Sequence, residues 1–127
     1  MLQTACMKKK ASVLYPAACE LGESPLWHVE RQSCFWVHIE GCTVYEFKWR
    51  EQKLQQWQLP RRVSLNVQGK NNEILLGMQG GIQKFDLDSG NLSLKTDLDK
   101  NWQHQRFNHG ACNSMDRLWI GTVQLNQ

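Results

Sequence analysis

Arg106, Asn108 and His109 cluster just ahead of Gly110. Arg106 carries a rigid fork of N–H donors suited to hydroxyl or carboxyl oxygens, and Asn108 offers both a donor and an acceptor. Glu23 is the second place where chemistry is possible. In Gly22-Glu23-Ser24-Pro25 the flanking Gly and Pro stiffen the segment that carries the carboxylate. The remaining polar groups offer less. Gly77-Met78-Gln79-Gly80-Gly81 joins two strands, whereas a phosphate-binding loop opens a helix. Ser24, Ser64 and Ser114 lack the strand–turn–helix setting of a nucleophilic serine. His28, His38 and His104 are not spaced as metal ligands and read as structural or surface groups. His109 also reads as a satisfied structural group, because nothing in the sequence orients it as an acid or base.

These groups need a frame. Leu118-Trp119-Ile120 is a short apolar strand that follows a turn at 113–117. A strand–turn–strand unit with polar groups at one strand's entrance presents them on a rigid support. Upstream, residues 11–15 read as a strand stopped by Pro16. Residues 21–25 read as a turn-like entry to a strand that begins at Leu26-Trp27-His28. Cys34-Phe35-Trp36-Val37-His38-Ile39 is nearly all apolar, which predicts a strand buried on both faces. Residues 43–47 and 54–59 alternate like half-exposed strands. Charges and Trp49 recur at roughly helical spacing across 46–56, but the β-rich flanks make a hairpin turn the better reading.

The same grammar returns downstream. Strands are expected at 63–67, 73–77, 82–85 and 92–95, with turns at 68–72, Gly80-Gly81 and 88–91. A third copy begins at Ala111-Cys112. A period of about 40 residues, with about four short strands in each, is that of propeller blades. Two full blades and part of a third leave the ring open. The chain is therefore read as part of a longer protein or a truncated product, with the rest missing or supplied by another chain.

The 127 residues, 41% hydrophobic, suit one domain that buries roughly 65% of its unfolded surface. Fifteen Lys and Arg against 12 Asp and Glu give a net charge of only +3. Apart from Lys8-Lys9-Lys10 and Arg61-Arg62 the basic groups are scattered, which argues against a nucleic-acid partner. No apolar run approaches the roughly 20 residues of a membrane-spanning helix, and no apolar segment resembles a signal peptide. Five cysteines (Cys6, Cys19, Cys34, Cys42, Cys112) show no zinc spacing and read as reduced thiols, pointing to the cytoplasm. Met7 is a plausible start, so residues 1–10 are read as an N-terminal extension and 11–127 as the propeller part. The six tryptophans read mostly as sheet-packing residues, with Trp102 placed to wall a pocket.

Three segments together resemble the regucalcin/gluconolactonase family, the senescence-marker-protein type of six-bladed propeller. They are Leu21-Gly22-Glu23-Ser24-Pro25-Leu26-Trp27, Phe35-Trp36-Val37-His38-Ile39 with Gly41, and Arg106-Phe107-Asn108-His109-Gly110 followed by Arg117-Leu118-Trp119-Ile120-Gly121-Thr122. The likeness runs from about Ala11 to the last residue and covers about the first two-fifths of a family member. It implies an all-β fold, a partial six-bladed β-propeller of about two and a half blades of four-stranded antiparallel sheet. It also implies a divalent-metal-dependent lactonase acting on a sugar lactone. The metal would be Ca²⁺, or alternatively Zn²⁺, Mn²⁺ or Mg²⁺, and it would polarise the carbonyl and activate a water.

By the same resemblance Glu23 is a metal ligand, and Arg106 and Asn108 contact the substrate. The family's remaining ligands and its general base come from later blades, so no base is assigned and this chain alone is expected to be weak or inactive. His28, His38, His109 and Asn113 stand where the family commonly has Asp. Each removes an acceptor-only carboxylate, although neutral His still accepts one bond at a different reach. The runner-up reading is a non-catalytic propeller fragment or binding module.

Overall fold

The computed structural model describes residues 9–70, 72–97, 104–115 and 117–125. Ten strands follow in chain order: β1 (Gly22–His28), β2 (Ser33–His38), β3 (Thr43–Lys48), β4 (Lys53–Gln58), β5 (Val63–Gln68), β6 (Glu73–Met78), β7 (Gly81–Asp86), β8 (Leu92–Asp97), β9 (Gln105–Cys112) and β10 (Leu118–Gln124). Among the described residues no helix is long and apolar enough to cross a membrane. Pairing is antiparallel and between sequence neighbours. Strands β1 to β4 form one four-stranded sheet, β5 to β8 a second, and β9 with β10 a two-stranded third. Strand β5 packs against both β1 and β9, so the three sheets stand side by side on their first strands. This is the radial arrangement of blades in an all-β partial propeller.

The core fills the space between the first two blades. Phe35, Val37, Ile39, Val44 and Leu59 of the first meet Val63, Ile74, Leu76, Met78, Phe85 and Leu87 of the second. Trp57 and Phe85 meet edge to face, with ring centroids 5.4 Å apart. Burial of this apolar area is the main term that holds blade against blade. A polar clamp joins the same two blades at the surface. Arg31 holds the fully buried Glu46 through both Nε and Nη2, and its Nη1 donates to Asn72 Oδ1, while Asn72 Nδ2 donates to Asp88.

The hairpin expected across 46–56 is present. Strands β3 and β4 pair in unbroken register from Thr43 with Gln58 to Lys48 with Lys53, and the chain turns at 49–52. Four expectations need correction. Residues 11–15 form no strand. Val13 is 80% exposed, no partner strand lies beside the segment, and the chain bends at Pro16 with Ala17 N–H donating to Tyr15 O. Residues 22–25 are not a turn but the start of β1. Their Gly and Pro mark a bulge, seen as a register shift between Glu23 and Leu26.

Strand β2 is not buried on both faces. Ser33, Phe35 and Val37 face the core, while Cys34, Trp36 and His38 are only part-buried on the other side. There Trp36 stacks on Tyr45 at 5.2 Å. The third blade begins at Gln105 rather than Ala111, because Gly110 does not interrupt its strand. A Cβ on Gly110 would sit 2.7 Å from Trp119 O of β10 and 2.9 Å from Leu65 Cδ2 of β5, so the missing side chain lets β9 lie close to both neighbours. Trp102 and residues 1–8 lie outside the described residues.

Candidate functional site

Glu23 is the second residue of β1, opposite Val37 of β2, and its carboxylate is exposed. It borders a hollow shared with Tyr15, Cys19 and Trp36. Among the described residues the Glu23 side chain makes no hydrogen bond. Asn108 lies in β9, beside the register shift between Ile120 and Thr122, and is likewise exposed and unbonded through its side chain. Arg106 is the second residue of β9, at the strand entrance as expected. Its Nη1 donates to Phe107 O at 3.0 Å. It borders a second hollow with Met78, Gln79 and Gly80 of the β6–β7 turn. Glu23 and Arg106 thus border different hollows, and no hydrogen bond or ion pair joins them among the described residues.

Other polar groups on the same blades are used up by structure. Glu46 is fully buried and takes hydrogen bonds from Arg31 and from Ser33 Oγ at 3.0 Å. Three of the four positions where the resemblance led us to expect aspartate accept backbone N–H bonds. His28 Nδ1 accepts the Arg31 N–H at 3.3 Å, and His38 Nε2 accepts the Glu20 N–H at 3.2 Å. Asn113 Oδ1 accepts both Met115 N–H and Arg117 N–H, closing the β9–β10 turn. In both histidines one ring nitrogen accepts a single backbone N–H. His109 differs from its expectation. It is exposed on β9 and its side chain makes no hydrogen bond among the described residues.

The residue that sequence reasoning missed is Asn66. It sits in β5, which is buried at Val63, Ser64, Leu65 and Asn66 in succession. A polar residue within an inner strand that has no wet face was the available signal. Asn66 makes three hydrogen bonds to Ser24, the neighbour of Glu23.

Donor chemistry at Glu23 suits a hard, oxygen-seeking cation, since a carboxylate brings charge and two oxygens. Among the described residues no group of three or more His, Cys, Asp or Glu stands close enough to hold a metal ion. Glu23 can thus be one donor of a set and not the whole set.

Residues 21–127 match the family model described as SMP-30/Gluconolactonase/LRE-like region. Among curated relatives, a 6-deoxy-6-sulfogluconolactonase of Pseudomonas putida is 24% identical over 118 residues, covering 93% of this chain and 38% of that protein. An L-arabinolactonase of Azospirillum brasilense is 26% identical over 113 residues, covering 88% and 37% respectively. Among solved structures, the calcium-binding protein regucalcin of Agrobacterium tumefaciens str. C58 superposes with a TM-score of 0.84 at 24% identity, over 88% of this chain and 38% of that one. The chain spans a little over a third of the length of the curated relatives it matches.

Proposed function

Because the chain belongs to the SMP-30/Gluconolactonase/LRE-like family, we propose that it contributes the opening blades of a divalent-metal-dependent sugar lactonase. Relatives that bear lactonase names support lactone hydrolysis as the reaction class. The observation that carries the reading is the state of two motif residues. Glu23 and Asn108 are exposed and, among the described residues, unbonded through their side chains on first strands, whereas Ser24, Ser33, Glu46 and Asn66 are all committed to hydrogen bonds. Polar groups left without structural employment on a rigid frame are free to meet a ligand.

In this reading Glu23 supplies one carboxylate to the cation, with further donors from the rest of the protein. A bound divalent ion would polarise the lactone carbonyl and acidify the attacking water. Arg106 directs N–H donors at hydroxyl or carboxyl oxygens of the sugar, and Asn108 adds one donor and one acceptor. Both hold the ring so that its carbonyl carbon meets water in a reactive pose. Water adds to that carbon and gives up a proton, the ring C–O bond breaks, and the departing ring oxygen takes a proton to become the hydroxyl of an open-chain sugar acid. Calcium is the first choice of metal, with Mn²⁺, Mg²⁺ and Zn²⁺ as alternatives, and the cytoplasm is the compartment we assign.

The test is hydrolysis of gluconolactone and arabinolactone by the longest continuous protein that carries these 127 residues, assayed with each metal. Metal-dependent ring opening is expected, and Arg106→Ala should raise KM about tenfold or more with a smaller change in kcat. A well-folded protein inactive with every metal would remove the proposal.

A further inference from the structure

Ser24 follows Glu23 directly, and its backbone is left-handed, with φ at 57°. The β1–β2 register shifts across this point. A non-glycine residue keeps such a conformation only where its surroundings hold it. Asn66 of β5 does the holding. Its Nδ2 donates to Ser24 O at 2.6 Å, its backbone N–H donates to Ser24 Oγ at 3.0 Å, and Ser24 Oγ donates to Asn66 O at 3.3 Å. Both ends of the bulged residue, carbonyl and hydroxyl, are tied to one neighbour.

Asn66 is 4% exposed, and among the described residues its Oδ1 has no partner. A buried amide oxygen without a hydrogen bond is unfavourable, and such groups call for an explanation other than packing. The nitrogen half of the amide holds the peptide next to Glu23, and the oxygen half is left unsatisfied as the consequence.

We infer that Asn66 is a positioning residue for Glu23. Held by Asn66, the bulge fixes the direction in which the Glu23 carboxylate leaves β1, and this pre-set direction strengthens divalent-ion binding. Partners that orient a ligating carboxylate act on metal affinity in this way. The inference rests on the reading of Glu23 as a metal donor. The competing role is a plain staple between the first two blades, which would affect stability and not metal affinity.

Trp36 borders the Glu23 hollow, so indole excitation can sensitise emission from Tb³⁺, a hard cation used as a Ca²⁺ probe. The metal-free, longest continuous protein is titrated with Tb³⁺ as wild type, Asn66→Ala, Ser24→Ala, Glu23→Gln and the Glu23→Gln/Asn66→Ala double variant. Asn66→Ala and Ser24→Ala should each bind Tb³⁺ about tenfold more weakly. Asn66→Ala should add no further loss on top of Glu23→Gln. If Glu23→Gln weakens binding while both Asn66→Ala and Ser24→Ala bind like wild type, melting at lower temperature only, Asn66 is a staple and the inference is overturned. If Glu23→Gln binds as tightly as wild type, the metal reading itself fails and the positioning role falls with it. Where Asn66→Ala does not fold, the titration of Ser24→Ala decides.

Discussion

At the scale of single residues, the molecule separates polar groups that build turns from exposed polar groups that make no side-chain hydrogen bond among the described residues. Asp86 is a clear case of the first kind. Its Oδ1 accepts N–H bonds from Asp88 at 2.8 Å and Ser89 at 3.0 Å, and these turn the chain between β7 and β8. The Ser89 N–H, then the Asp88 N–H, stabilises the charged form and lowers the carboxyl pKa below its ordinary value of 3.8. The folded-state pKa lies below the unfolded one. Its stabilising contribution is therefore complete above the unfolded value and is lost as pH falls through the folded value. A carboxyl-carbon NMR titration should find Asp86 titrating below 3.8. A midpoint at or above that value would mean the turn is not closed as described.

The candidate site residues were proposed by a different route. Residue type marked Arg106 and Asn108 as polar donors, but their roles, and that of Glu23, came from the likeness of three motifs in order. Asn66 escaped because nothing in its local sequence ties β5 to Ser24. That bond exists only once two blades stand together.

At the scale of elements, alternation and turn chemistry were enough to find most strands, and the exceptions share a cause. Gly and Pro punctuate turns and bulges alike. Gly22-Glu23-Ser24-Pro25 therefore read as a turn although it opens β1 with a bulge, and Gly110 read as the end of a segment although it lies inside β9. What Gly110 supplies is close approach. An added Cβ would meet backbone at Trp119 O and the tip of Leu65. Gly110→Ala should destabilise the third blade by about 1–3 kcal/mol through overpacking. It should do so as a lower denaturant midpoint with loss of protection at β9 amides in hydrogen exchange. Unchanged protection at β9 would show that the β5–β9 approach is not what the glycine serves. Residues 11–15 are the converse error. Composition fits a strand, but among the described residues no strand pairs with them, and a ladder needs two sides.

At the scale of the whole molecule, side-by-side blades explain how residues far apart in the chain come to lie on neighbouring strands. First strands β1, β5 and β9 lie next to one another, and Glu23, Asn66 and Asn108 each belong to one of them. The apolar seam between the first two blades holds that order, and the Ser24–Asn66 bonds refine it next to the exposed carboxylate. Repeat length and strand grammar made this architecture readable in the sequence, since each blade repeats the same apolar demand on its neighbour.

The central claim is that Glu23 helps hold a divalent ion that a lactone hydrolysis depends on. It is tested most directly by following gluconolactone hydrolysis by wild type and Glu23→Gln, in the longest continuous protein, as Ca²⁺ is titrated into metal-free samples. The account predicts that wild type is silent without metal and saturates as Ca²⁺ is added. It predicts that Glu23→Gln needs at least about tenfold more Ca²⁺ for half-maximal rate, because a charged donor has been replaced by a neutral one. Overlapping Ca²⁺ curves for the two proteins, or hydrolysis by wild type that a chelator leaves untouched, would contradict it.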